Sequence, residues 1–156
     1  MLRIQHAVSA RGLPGAASVR AWARAALDHD AEVTLRFVGS AESARLNAAY
    51  RGKPSPTNVL TFVYDRSYQG AHAGVSGRPM VRPAMSGDLV LCAPVLRREA
   101  REQGKTLRNH CAHLVVHGML HLQGLDHEDD REARRMEARE TAILAMFGIP
   151  DPYQEP

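Results

Sequence analysis

Four histidines, His113, His117, His121 and His127, fall within fifteen residues of the stretch HLVVHGMLHLQGLDHEDD. His117 and His121 are four apart, which on a helix sets them on one face with Cβ atoms ~5–6 Å apart. Two imidazoles so placed can converge on one ion at ~2.0–2.1 Å per bond. A helix cannot supply three equivalent donors around a tetrahedron, so the third must come from elsewhere. Gly124 lets the chain fold back, and His127 then arrives to complete H-x3-H-x5-H. Three neutral imidazoles leave a fourth position open for water, which is the catalytic kind of site. The plainer reading of a histidine on an apolar helix is a core residue with its hydrogen bonds met. The i, i+4 pair followed by Gly-x-Asp-His favours metal instead. His113 continues the stripe and is expected to orient a ligand or to pack, while His110 is expected at the surface.

Zinc proteases place H-E-x-x-H on a helix, with the glutamate activating water. Here the residue after His117 is Gly118. The carboxylate that peptide hydrolysis needs is missing from its place, which argues against a protease.

Elements able to position these residues are legible in the periodicity. LRIQHAVS alternates as a strand, and GAASVRAWARAAL follows at helical spacing. AEVTLRFVG alternates again, and Ser40 is expected to cap a helix over AESARLNAAY. The polar turn RGKPSPTN leads into a strand, VLTFVYD. Residues 65 to 86, rich in Gly, Pro and Ser, read as a long loop before a fourth strand, GDLVLCAP. Pro94 suits the first turn of a helix running to Gly104. Thr106 can start the histidine helix, Gly124 can end it, and REARRMEARETAILAMFG forms a last helix. The fold class is therefore mixed α/β: one domain over 1–156, with a small four-stranded sheet packed by about five helices.

The chain has 156 residues, 44% hydrophobic and 24% charged, which fits a single folded core. No apolar run reaches the ~18–20 residues needed to span a bilayer, and MLRIQHAVSARG lacks the apolar region of a signal peptide. Cys92 and Cys111 both lie in apolar segments and read as reduced core thiols, so the expected compartment is the cytoplasm. The net charge of +3 permits a polyanionic partner without demonstrating one.

HGMLHLQGLDH resembles the signature of the YbeY family, the bacterial endoribonuclease and ribosomal RNA maturation factor. YRGKPSPTNVLTF resembles the family's arginine-bearing segment, GDLVLC its following strand, and DPY near the end is also similar. Together these span residues 45 to 153 in order. The family's proline at the end of its VLSFP strand is Val63 here, so the exit of that strand is expected to differ. The resemblance implies a metal-dependent, single-strand-specific endoribonuclease that acts in 16S ribosomal RNA 3′-end maturation and in ribosome quality control. Its partners would be ribosomal RNA and the small ribosomal subunit. By motif position it implies His117, His121 and His127 as metal ligands and Arg51 as the functional arginine. Zinc leads among the metals that suit three imidazoles, one ion per chain; nickel, copper and iron are the others.

Phosphodiester cleavage builds negative charge on phosphate oxygens, and a guanidinium can grip a phosphate at two points. Arg51 and Lys53 would otherwise read as solvated charges of a turn. Arg97, Arg98, Arg101, Lys105 and Arg108 read first as a solvated face and second as phosphate contacts. The Arg/Glu mixture of 131 to 140 reads as pairing within one helix. The aromatic residues are scattered among elements, so no base-stacking platform is expected. Two other functions compete with the ribonuclease. One is a metallohydrolase of another substrate such as peptide, and the other is a non-catalytic ribosome-associated factor whose metal is structural.

Overall fold

The computed structural model describes residues 1–65, 85–125 and 128–154. Along the chain run β1 (Leu2–His6), α1 (Ala16–Ala25), β2 (Ala31–Val38), α2 (Ser40–Arg51) and β3 (Val59–Asp65). They are followed by β4 (Met85–Cys92), α3 (Ala93–Glu102), α4 (Leu107–Leu122) and α5 (Asp130–Ala145). This is the mixed α/β order read from the sequence. The strands lie in the order β1-β2-β4-β3, with β1, β2 and β4 parallel and β3 antiparallel to β4 at the edge.

Alternation in β2 sends Ala31, Val33, Leu35 and Phe37 into the main core beside Val19 and Trp22 of α1. In β4 the run Leu89–Cys92 is wholly buried, as suits a central strand covered on both faces. Val38, Leu60, Val90, Cys92 and Val95 form a smaller cluster, with Leu46 of α2 and Phe62 packed against it. The central helix is α4, apolar on most of its circumference and buried accordingly. Thr106 caps it, its hydroxyl accepting from the Asn109 N–H at 3.0 Å. Pro94 occupies the first turn of α3.

Several local expectations are corrected. Gly39, in extended conformation, takes the capping position of α2, so Ser40 is already helical and makes no side-chain cap. Arg51 is the last residue of that helix rather than part of the turn. The strand β3 continues through Val63 to Asp65, with a register shift between them against β4. Of the stretch expected as a loop, Asp65 ends β3 and Met85 and Ser86 begin β4; residues 66–84 lie outside the described residues. Both cysteines are free and buried, and burial pushes the Cys111 thiol up to about 12. Among the described residues no helix is long and apolar enough to cross a membrane.

Candidate metal centre and its cleft

Placement of the histidines begins at Gly118. A Cβ built there would lie 2.2 Å from Leu89 Cδ1, so α4 packs on β4 closely enough that even a methyl group at this position would force the Leu89 side chain to shift. With that face of the helix against the sheet, His117 and His121 turn toward the edge strand β3. Their rings are stacked within 4° of parallel, with centroids 6.4 Å apart. Both border an open cleft of about 500 Å³, whose other walls include Tyr50, Arg51, Asn58 and β3 residues through Phe62. The fold thus brings Arg51 to the same cleft as the histidine pair, from a helix more than sixty residues earlier in sequence.

The turn between Arg51 and the cleft floor is held from α2. Ser43 donates to the Thr57 carbonyl and accepts from the Thr57 N–H, both at 3.0 Å. Asn47 donates to the Ser55 carbonyl at 2.8 Å. Asn58 accepts from the Val59 N–H at 2.7 Å and donates to the Glu99 carboxylate at 3.2 Å. Arg51 itself is exposed, as a residue meeting a solvated phosphate must be. Lys53 is also exposed, on the turn beyond Gly52.

One ring nitrogen of each cleft histidine is fixed by its partner. Nδ1 of His117 meets the Glu140 carboxylate, and Nδ1 of His121 lies 3.2 Å from the Leu125 carbonyl. An ionised carboxylate and a carbonyl only accept, so each neutral ring carries its proton on Nδ1. Nε2 then bears the lone pair that a metal requires, the arrangement in which an outer carboxylate orients a ligating imidazole. The Leu125 carbonyl reaches His121 because Gly124, at φ +96°, turns the chain back over the helix end. His127 follows directly but lies outside the described residues.

Glu140 is completely buried on α5. Burial alone would raise its carboxyl. Hydrogen bonds from His113, His117 and the Tyr153 hydroxyl overcome that and hold it at about 2. The Tyr153 phenol is raised well above its ordinary range, by burial first and by Glu140 second, so it stays a donor. His113 Nε2 lies 3.3 Å from Glu140 and 3.2 Å from the Tyr153 hydroxyl. His113, His117 and Glu140 bring one donor atom each within 4.8 Å of one another, a group that could hold a metal ion. As they stand, His117 Nδ1 and His113 Nε2 are engaged with the carboxylate instead. The donor chemistry of the cleft therefore fits a transition metal at the Nε2 side of His117 and His121.

Sequence reasoning missed Glu140. It falls in the Arg/Glu mixture read as pairing within one helix, yet Met136, Glu140, Ile143 and Leu144 form the buried stripe of α5. A carboxylate interrupting an i, i+4, i+7, i+8 apolar stripe was the available signal. Arg139 of this helix pairs across the fold instead, its guanidinium donating to the Asp28 carboxylate at 2.9 Å. His110 is corrected from surface to core: it is 2% exposed and 3.0 Å from Glu99. The basic run serves the fold in several places. Arg97 donates to the Arg11 carbonyl, Lys105 to the Pro152 carbonyl, and Arg108 lies over the Trp22 ring.

The sequence model described as "Endoribonuclease YbeY" matches residues 16–148. An Endoribonuclease YbeY from Aromatoleum aromaticum is 53% identical over 155 residues, covering 97% of this chain and 91% of that protein. One from Azoarcus sp. is 59% identical over 135 residues, covering 86% of this chain and 51% of that longer protein. The solution structure of TM1509 from Thermotoga maritima shares the fold at a TM-score of 0.53 and 21% identity, covering 100% of this chain and 98% of its own. On the family match and these relatives, the chain belongs to the YbeY endoribonuclease family.

Proposed function

We propose that this protein is a metal-dependent endoribonuclease for single-stranded RNA, with His117, His121 and His127 as ligands of one zinc ion and Arg51 as the phosphate clamp. The observation that carries the reading is the shared cleft: Arg51 and the histidine pair border one open hollow. When bound, the metal supplies Lewis acidity toward a phosphate oxygen. Glu140 fixes the His117 ring from behind, the Leu125 carbonyl fixes His121, and His113 with Tyr153 holds Glu140. A peptide hydrolase of the H-E-x-x-H kind has no support, because the residue after His117 is Gly118, at a position crowded by the Leu89 side chain, and not glutamate. Family membership favours 16S ribosomal RNA 3′-end maturation and ribosome quality control as the setting, with the small subunit as partner. Two free buried thiols accord with a cytoplasmic site.

The test is at Arg51. Lysine keeps the charge but loses the planar two-point fork. Arg51→Lys should retain fold and metal yet cleave single-stranded RNA roughly ten- to a hundredfold more slowly, the worth of a charge-assisted contact of ~1.5–3 kcal/mol. Arg51→Glu should be slower still, since a carboxylate repels the phosphate. Cleavage by Arg51→Glu at the parent rate, with metal content and melting curve unchanged, would remove Arg51 from the site.

A further inference from the structure

The aromatic residues that look scattered in the sequence meet at the cleft's outer rim. Tyr50 and Phe62 stand edge to face, ring centroids 4.7 Å apart and planes at 65°. They form a ridge between the Arg51 cleft and a second hollow of about 500 Å³, which both residues also line. Tyr64 stands on the wall of that second hollow. Tyr50 is 68% exposed and Tyr64 67%. Phe62 is half-buried, packed against the small core cluster, and so backs the Tyr50 ring with a fixed edge. Large aromatic rings left exposed side by side mark an interaction surface.

We propose that Tyr50, braced by Phe62, is a stacking subsite for the base next to the phosphate gripped at Arg51. This rests on the reading of the cleft as a site for single-stranded RNA. Three observations favour a base as the occupant. Tyr50 immediately precedes Arg51 in the chain, so ring and guanidinium are presented together by the last turn of α2. The aromatic ridge is continuous with the cleft rather than on a separate face. Among the described residues, the cleft side of the ridge is lined by Arg51 and by no carboxylate, whereas Glu42 and Asp88 line the second hollow, so a phosphate backbone is drawn to the cleft side. An unstacked base offers a π-face to any aromatic ring, whatever its identity, so the subsite would tolerate sequence variation.

The experiment measures binding of the full chain, by fluorescence anisotropy, to a labelled uridine octamer and to an octamer of abasic ribose phosphates. The parent protein should bind the base-bearing strand on the order of tenfold more tightly. Tyr50→Ala should lose that preference while binding the abasic strand as the parent does. Tyr50→Phe should keep the preference, because it keeps the ring. The variants change an exposed side chain, so melting temperatures should match. If Tyr50→Ala binds the uridine strand as tightly as the parent, the stacking subsite is overturned and the ridge belongs to a protein partner, with the RNA reading intact. If the parent binds neither strand and cleaves no single-stranded RNA, the reading of the cleft itself falls, and the subsite with it.

Discussion

Replacing Gly118 by glutamate should leave the chain unable to fold, whereas alanine should give a folded protein of lower melting temperature. The reason is the 2.2 Å approach between a Cβ at this position and Leu89 Cδ1. Leu89 is fully buried in the central strand β4, so its side chain must repack against its core neighbours rather than swing into solvent. Alanine forces an overpacked contact costing ~1–3 kcal/mol, offset by ~1 kcal/mol of helix propensity over glycine. A net loss of up to about 2 kcal/mol should lower the melting temperature by as much as roughly 8 °C in a chain of this size. Glutamate adds the burial of an unpaired charge, several kcal/mol against a total stability of ~5–15. Expression in inclusion bodies, or a far-ultraviolet spectrum without helix, is the expected result. A soluble Gly118→Glu protein melting with the parent would show that α4 does not dock on β4 in this way.

Glu140→Gln should destabilise the protein at neutral pH and weaken its hold on metal, with much less effect on stability in acid. The buried carboxylate accepts from His113, His117 and Tyr153; the amide of glutamine would present a donor to at least one of those donors. Glu140 is held at about 2 against an ordinary 4.5. A carboxyl depressed in the folded state contributes stability that is present in full above the unfolded value. That contribution fades as pH falls from about 4.5 through about 2. A shift of this size corresponds to a stabilisation on the order of 3 kcal/mol at neutral pH. Urea unfolding of parent and variant should therefore show a gap of that order at pH 7, narrowing steadily as pH drops toward 2. Freed from its carboxylate, His117 should lose about ten- to a hundredfold in metal affinity. A gap of equal size at pH 7 and pH 3 would mean that the ionised carboxylate is not what the variant removes.

How much of this was legible in the sequence depended on whether a residue's partners are local. Periodicity located all nine described elements, because alternation and 3.6-residue spacing report burial directly. The i, i+4 placement of His117 and His121 was readable for the same reason: helix geometry alone sets it. The meeting of Arg51 with those histidines could be expected only from family resemblance, since it depends on how α2, β3 and α4 pack. Glu140 was read as one of the charges paired within its own helix because its donors, Tyr153, His117 and His113, lie 13 to 27 residues away in sequence. His110 was misplaced likewise, its partner Glu99 being on a different helix. Tyr50 and Phe62 looked unrelated until the strand and helix brought their rings together. In each case propensity and spacing described the element correctly, and tertiary contact decided what its side chains do.

The most direct test of the ligand set is metal stoichiometry by elemental analysis on four purified proteins: the parent, His113→Ala, His121→Ala and His127→Ala. Two triads share His117 and differ in the rest. The proposed centre uses His121 and His127; the alternative grouping of donors within 4.8 Å uses His113 and Glu140. The account predicts about one transition metal per chain in the parent, most of it kept in His113→Ala, and loss from both His121→Ala and His127→Ala with loss of RNA cleavage. Full metal in His121→Ala and His127→Ala, with loss from His113→Ala, would contradict it and move the ion to the His113–His117–Glu140 group.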